Sequence, residues 1–198
     1  MPDWFKAPHL LGMWAIRKVS QVELVKSVGR MDYSAIDEKF MRVAIELARR
    51  ALAIPGAGEV GCVIVKNGEV VADGFNESEL TIDPTAHAEI VAIRKAARKW
   101  NDINLCRATL YCTLQPCGMC SMACIWANIG RIVYGASRKD VNSIYFELRH
   151  FNTADLICDA FRNDLEVISG VLADQCSKLY VKPHEAVPAN KLEGDTVH

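Results

Sequence analysis

From residue 34 onward the chain alternates between helical and extended apolar patterns, and this alternation limits the fold more than any other feature. Apolar residues at helical spacing from Ile36 to Ala51 predict an amphipathic helix. Two short apolar strands follow on either side of Asn67-Gly68, a dipeptide typical of tight hairpin turns. Helical and extended segments then alternate to about Tyr180. Because strands joined through a whole helix pair in parallel, we expect an α/β protein, a three-layer α/β/α sandwich with a central mixed sheet.

The boundaries of these segments follow from residues with strong local preferences. Ser34 is suited to cap the first helix. Thr85 is expected to cap the next helix, and Pro116 is expected to lie in the first turn of a third. The remaining segments are expected to be strands at 108–114, 131–136 and 165–169 and helices at 153–161 and 171–180.

Length and composition fit one globular domain with short additions at both ends. The chain has 198 residues, of which 51% are hydrophobic and 24% charged, as in ordinary globular proteins. We expect an N-terminal accessory helical extension at 1–30, the main domain at 31–182 and a C-terminal tail at 183–198. No apolar run reaches the ~18 residues of a membrane helix. Residues 1–30 also lack the charged start, apolar middle and small-residue cleavage site of a secretory signal. These features favour a cytoplasmic protein.

The charge is distributed unevenly along the chain. The net charge is −1, but residues 1–30 carry +3 and residues 31–198 carry −4. A mildly acidic domain is a poor electrostatic match for a polyphosphate partner. The charge therefore favours a small-molecule substrate over nucleic acid, and it leaves tRNA open as an alternative partner.

A candidate metal site is formed by two short motifs about thirty residues apart. His87 and Glu89 stand in the first, and Cys117 and Cys120 follow Pro116 in the second. Cysteines three residues apart at the start of a helix present their sulfurs to one side, and a helix N-terminus favours the thiolate that binds zinc. One histidine and two cysteines leave the fourth tetrahedral position open, which is typical of catalytic zinc.

A four-ligand structural zinc site is the competing interpretation. Of the eight cysteines, Cys112 and Cys124 are the nearest in sequence to the CxxC pair. Cys124 would lie one helical turn deeper, about 6 Å along the axis, and Cys112 is on the preceding strand, where spacing does not exclude it. We expect both to pack as small apolar side chains, like the other buried cysteines.

The order H-x-E…P-C-x-x-C is the signature of zinc deaminases. With it, the chain resembles the cytidine-deaminase-like superfamily over roughly residues 36–180. The segment 83–89, Asp-Pro-Thr-Ala-His-Ala-Glu, is similar to the branch that holds tRNA adenosine deaminases and bacterial guanine deaminases. The segments 92–96 and 125–127 are more similar to guanine deaminases.

The resemblance implies a cofactor, a reaction and a quaternary state. Zn²⁺ would be bound by His87, Cys117 and Cys120 and would activate a water molecule for attack on a ring carbon. Glu89 would be the catalytic proton shuttle, and ammonia would leave. A zinc fold without enzymatic activity would not need Glu89. Relatives complete their pockets across subunits, so a homodimer is expected.

The resemblance also suggests four substrate-binding residues, namely Asn76, Ala88, Trp126 and Glu147. Relatives that bind guanine tend to read Gly-Phe-Asp followed by Asp or Glu, whereas this chain reads Tyr-Phe-Glu-Leu at 145–148. The first acid of that motif is kept as Glu147 and the second is replaced by leucine. This departure weakens the assignment of guanine itself.

The sequence therefore predicts a zinc-dependent hydrolytic deaminase of a small aminated heterocycle, a nucleobase or nucleoside, with guanine or another purine favoured. A tRNA-specific adenosine (A-to-I) deaminase is the first alternative. A cytosine- or cytidine-type, triazine or pterin deaminase is the second.

Overall fold

Five strands form one mixed sheet in the order β2-β1-β3-β4-β5. The computed structural model describes residues 33–146, 152–162 and 164–188. Strand β1 is antiparallel to both β2 and β3, while β3, β4 and β5 run parallel. The strands are β1 Gly58–Lys66, β2 Glu69–Asn76, β3 Thr109–Leu114, β4 Arg131–Ala136 and β5 Glu166–Ile168. The predicted mixed sheet is confirmed.

Helices cover both faces of this sheet, which confirms the predicted three layers. Helix α1 packs on one face together with α6, and helices α3, α4 and α5 pack on the other. In the described residues, the α-helices are α1 Ala35–Ala51, α2 Ser78–Thr81, α3 Ala88–Trp100, α4 Gly118–Trp126, α5 Thr153–Asp159 and α6 Ala173–Cys176.

The strands fill two separate cores because successive side chains point to opposite faces of a sheet. Val63 and Tyr111 belong to the core beneath α1. Their neighbours Ile64 and Leu110 belong to the core beneath α3 and α4. All four side chains are buried, so the central strands read as continuous apolar runs, as strands covered on both faces do.

Two local predictions at the start of the domain are confirmed. Ser34 caps α1, and its partner Asp37 completes a capping box in which each side chain binds the other residue's backbone N–H. The β1–β2 hairpin turns at Asn67 and Gly68, whose φ angles are 53° and 78°. Positive φ at both positions is what a tight hairpin requires.

The predicted starts of α3 and α4 are wrong by about two residues. Thr85 does not cap α3, because its backbone N–H and hydroxyl both bind the Asp83 carboxylate at 2.8 and 2.6 Å in a preceding turn. His87 is the N-cap instead. Pro116 likewise lies before α4, whose N-cap is Cys117. In both cases the cap is a metal-ligand candidate without a side-chain capping bond.

The predicted ends of the chain's last elements also need correction. The helix expected at 153–161 ends at Asp159, because Phe161 adopts a φ of 55°. The closing helix expected at 171–180 is divided into α6 and a 3₁₀ turn at Ser177–Leu179. Leu172, with a φ of 52°, delays its start. Positive φ interrupts a right-handed helix.

Parts of the predicted domain plan lie outside the described residues. These parts are the accessory helix at 1–30 and the last ten residues of the tail at 183–198. In the described ranges, no helix is both long enough and apolar enough to cross a membrane.

The topology gathers one set of chain segments at a single edge of the sheet. Strand β1 starts where β2 ends, since Gly58 pairs with Asn76. It also runs opposite to β3, so its start lies beside the carboxyl end of β3. The first turns of α3 and α4 meet at the same edge, which is where α/β proteins place their ligands.

Candidate metal centre and active site

His87, Cys117 and Cys120 bring three ligand atoms together at this edge. The Nδ1 atom of His87 lies 3.6 Å from the Sγ atom of each cysteine, and all three atoms lie within 4.8 Å of one another. Zn–S bonds of about 2.3 Å and a Zn–N bond of about 2.0 Å at a tetrahedral angle put N and S about 3.5 Å apart. The donor set therefore fits zinc in both chemistry and spacing.

A short turn fixes His87 at the mouth of α3. The Asp83 carboxylate accepts hydrogen bonds from Thr85 and from Arg94, the latter at 3.0 Å. These bonds lower the pKa of Asp83 to about 2, so it stays charged. His87 itself has an extended backbone, with φ −65° and ψ 157°, and its side chain is directed to the metal site instead of along the helix.

The loop before Cys117 is held from two sides. On one side, the Gln115 N–H donates to the carbonyl oxygen of Ala136 at 2.8 Å. On the other side, Thr153 at the start of α5 donates its hydroxyl to the carbonyl of Pro116 at 3.0 Å. Ser121 donates in turn to the Thr153 hydroxyl at 3.1 Å. The cysteine ligands therefore sit on braced backbone, which is what a preformed metal site needs.

The two thiols differ in acidity. A hydrogen bond from Cys120, helped by His87 and by the backbone N–H of Cys120, lowers the pKa of Cys117 to about 4 against the opposing effect of burial. Burial raises the pKa of Cys120 well above its ordinary value. Cys117 is therefore the more acidic of the two thiols, and binding of zinc to both sulfurs would release the protons that they hold.

Glu89 lies in the first turn of α3 and borders the same cavity as His87 and Cys117. Residues i and i+2 of a helix face different directions, but His87 precedes the helix with extended backbone, and both side chains therefore reach one cavity. Glu89 is only 4% exposed. Burial, followed by the negative charge of Cys117, raises the pKa of its carboxyl. A buried carboxyl with a raised pKa is suited to carry protons.

Two of the four predicted substrate-binding residues lie in the cavity wall. Asn76 and Ala88 line it beside Glu89. Trp126 does not line it in this chain, because it lies at the far end of α4 and is 78% exposed. Glu147 lies outside the described residues. Substrate contact by any of the four remains a prediction.

Glu59 and Tyr145 also line the cavity, and no sequence motif identifies either as a site residue. Glu59 is the second residue of β1 and is 5% exposed. The Tyr145 hydroxyl donates to its Oε1 at 2.7 Å. Glu59 could have been noticed in the sequence because it is an acidic residue at the start of an otherwise apolar strand. Acids at such buried positions are rare unless they have partners.

Cys112 and Cys124 do not join the ligand set. Both are fully buried in the core beneath α3 and α4. In the described ranges, the only group of three such side chains with ligand atoms this close is His87, Cys117 and Cys120. Two cysteines and one histidine thus match the three-ligand site of a catalytic zinc.

Comparisons with known proteins agree with this site. The profile of the cytidine and deoxycytidylate deaminase zinc-binding region matches residues 34–136. The tRNA-specific adenosine deaminase of Haemophilus influenzae is 41% identical over 146 residues, which are 73% of this chain and 81% of that protein. The guanine deaminase of Bacillus subtilis is 37% identical over 110 residues, 56% of this chain and 70% of its own.

A solved structure gives the same result for the fold. It comes from a study of A-to-I editing by tRNA:A34 deaminases and superposes with a TM-score of 0.61 at 30% identity, over 71% of this chain and 98% of that one. The family profile at residues 34–136 includes the zinc-ligand candidates and strands β1 to β4. The chain belongs to the cytidine and deoxycytidylate deaminase family of zinc-binding hydrolases.

Proposed function

We propose that the protein is an adenosine deaminase that converts an adenosine of a tRNA anticodon loop to inosine. The observation that carries the proposal is the extent of similarity. The match to a tRNA-specific adenosine deaminase spans 73% of this chain at 41% identity, while the match to a guanine deaminase spans 56% at 37%. The expectation of a small heterocycle as substrate, drawn from net charge, is therefore less well supported than its first alternative.

The cavity has the groups that this reaction needs. Zinc, when bound by His87, Cys117 and Cys120, supplies a Lewis acid that makes water nucleophilic near neutral pH. Glu89 takes one proton from the attacking water and passes it to the ring nitrogen beside the reacting carbon. It then takes the second proton from the added hydroxyl and gives it to the amine, which leaves as ammonia. Because burial raises the pKa of Glu89, its carboxyl can hold a proton between these transfers.

Asn76 is oriented to hold the ring. Its Oδ1 accepts hydrogen bonds from the Ser78 backbone N–H at 3.1 Å and hydroxyl at 2.8 Å, which turns its amide N–H groups into donors at the cavity wall. Adenine has ring nitrogens that accept hydrogen bonds, and an amide donor suits them. Asn76 would fix the base while Glu89 moves protons.

Deamination of a free purine base is the second candidate. Among the described residues that line the cavity and the groove beside it, none is Lys or Arg. Binding of RNA draws most of its affinity from such cations, so the lining favours a substrate without phosphates. Any contacts with tRNA phosphates would have to lie outside these two cavities.

One assay separates the two candidates. Zinc-loaded protein is incubated with an anticodon stem-loop RNA that contains adenosine at the wobble position, and in parallel with adenine, guanine, cytosine and their nucleosides. Released ammonia is measured together with inosine in the RNA. The proposal predicts stoichiometric ammonia and inosine from the stem-loop. Ammonia from guanine or another free base, with none from RNA, would replace it with the second candidate.

A further inference from the structure

Glu59 is a buried carboxylate in the cavity wall that the proposed chemistry does not use. It lies on β1, across the cavity from the helices that carry the zinc ligands and Glu89. An acid that is 5% exposed loses much of its hydration, which costs free energy unless donors replace the lost water. The cost of burying Glu59 beside the substrate cavity suggests that its carboxylate has a role there.

The carboxylate is held in place by Tyr145. The Tyr145 hydroxyl donates to Oε1 of Glu59 at 2.7 Å and accepts from the backbone N–H of Val181 at 3.2 Å. Its ring meets Tyr180 edge-on, with ring centroids 5.2 Å apart. A carboxylate has about four acceptor positions, so hydrogen bonds within the protein do not by themselves prevent it from accepting a further donor from a substrate.

Glu59 lies where two cavities join. The inner cavity, which contains His87 and Glu89, and an outer groove beside α2 share the residues Gly58, Glu59 and Asn76. A nucleotide that places its base in the inner cavity would put its ribose at this junction. In that placement Glu59 would meet the sugar and not the reacting carbon.

The polar hydrogens of an adenosine within RNA narrow the choice of donor. Both N–H hydrogens of its base belong to the leaving amine, and the 3′ and 5′ oxygens are esterified. The 2′-hydroxyl is the one remaining donor, and it is absent from DNA. A carboxylate only accepts hydrogen bonds. Resting on the proposed function, we infer that Glu59 binds the ribose 2′-hydroxyl of the target nucleotide and so selects RNA over DNA.

The test compares two stem-loop RNAs that differ only in the 2′-hydroxyl of the target adenosine. The ratio of kcat/KM for the ribose and deoxyribose forms is measured for wild type, Glu59→Gln and Tyr145→Phe. We expect wild type to prefer the ribose form about 10- to 100-fold, as for a hydrogen bond to a charged group. Glu59→Gln should bring the ratio to within about threefold of unity, and Tyr145→Phe should lower it by a smaller factor.

Controls separate this inference from folding and from the proposed function. Glu69→Gln removes the same charge from an exposed position at the start of β2 and should keep the wild-type ratio. Zinc content and melting temperature are measured for each variant, and Tyr145→Phe provides the test if Glu59→Gln does not fold. An unchanged ratio in the folded variants would overturn the role of Glu59 alone. Wild type that deaminates neither RNA would overturn the proposed function and, with it, this inference.

Discussion

Two buried acids lie in the first turns of helices on opposite faces of the sheet, and they have opposite properties. Asp37 in α1 is 1% exposed and Glu89 in α3 is 4% exposed. Burial by itself would raise the pKa of Asp37, but hydrogen bonds from Arg131 and Ser34 hold it well below the usual range. The pKa of Glu89 is raised. Two acids with similarly small exposed fractions therefore differ, since one is permanently charged and the other is able to exchange protons.

The difference lies in their partners and their access. Asp37 accepts hydrogen bonds from both terminal nitrogens of Arg131, from the Tyr111 hydroxyl at 3.0 Å and from Ser34 at 2.8 and 2.9 Å. Glu89 borders the cavity that holds the metal ligands. A buried acid saturated with donors stabilises a fold, whereas one that faces a cavity beside a metal site is placed for chemistry.

The largest expected effect is on turnover in Glu89→Gln. The amide keeps the shape of the side chain but cannot exchange protons at neutral pH. Proton transfer by a positioned group contributes about 10²–10⁴-fold, so ammonia release should fall by that factor. The variant should bind one zinc ion per chain, as wild type does, by metal analysis of the purified proteins. Ammonia release within threefold of wild type would remove Glu89 from the mechanism.

Asp37→Asn should have the opposite effect, a loss of stability with turnover retained. It removes the buried one of the two carboxylates that pair with Arg131 and leaves only the exposed Glu166; removal of one partner from a buried pair costs up to about 3–5 kcal/mol. Chemical denaturation should show this loss in the free energy of unfolding, while kcat per folded molecule stays near wild type. Glu38→Gln removes an acid from the exposed pair with Arg42 and should cost no more than about 0.5 kcal/mol. Equal losses in the two variants would contradict the account.

Two glycines provide a second contrast between the faces. A Cβ at Gly74 would lie 2.4 Å from the carbonyl oxygen of Ala88 in α3, and one at Gly61 would lie 2.2 Å from that of Ala44 in α1. Either alanine substitution must push a helix off the sheet, at about 1–3 kcal/mol. Gly74→Ala should also lower kcat, because it displaces the helix that carries Glu89. A stability loss with kcat retained is expected of Gly61→Ala, and the same kinetic loss in both would refute the distinction.

The smallest effect is on stability in mild acid. The pKa of Asp37 is lower in the folded than in the unfolded chain, where it is about 3.9, so the unfolded state binds the proton first as pH falls. The stabilisation is present above about pH 4 and is progressively lost below it. By pH 3 this one group should contribute a loss of about 1 kcal/mol. The difference in unfolding free energy between wild type and Asp37→Asn, measured from pH 5 to pH 3, should shrink; a constant difference would contradict the assignment.

The metal ligands were predictable from sequence because their spacing repeats a local geometry. Cys117 and Cys120 are three residues apart at a helix start, and His87 stands two residues before Glu89 in the companion motif. The order of strands and helices was predictable from alternating apolar patterns. The helix starts at Ala88 and Gly118 were not, because Asp83 captures Thr85 in a turn and both N-caps are ligands without capping bonds.

Contacts between residues far apart in the sequence could not be predicted from local sequence patterns. Tyr145 meets Glu59 across 86 residues, and Arg131 meets Asp37 across 94. Neither pair has a spacing that a periodic pattern could reveal. The preference for a small substrate is less well supported than tRNA for a similar reason, because net charge sums over the whole surface while recognition depends on a few groups at one edge.

Zinc K-edge X-ray absorption of the purified protein tests most directly whether this metal centre is catalytic. If His87, Cys117 and Cys120 are the protein ligands, the spectrum should show two sulfur neighbours at about 2.3 Å and two nitrogen or oxygen neighbours at about 2.0 Å. The Cys112→Ala and Cys124→Ala variants should give the same spectrum. Three or four sulfur neighbours, reduced in either variant, would show a closed structural site and contradict the account.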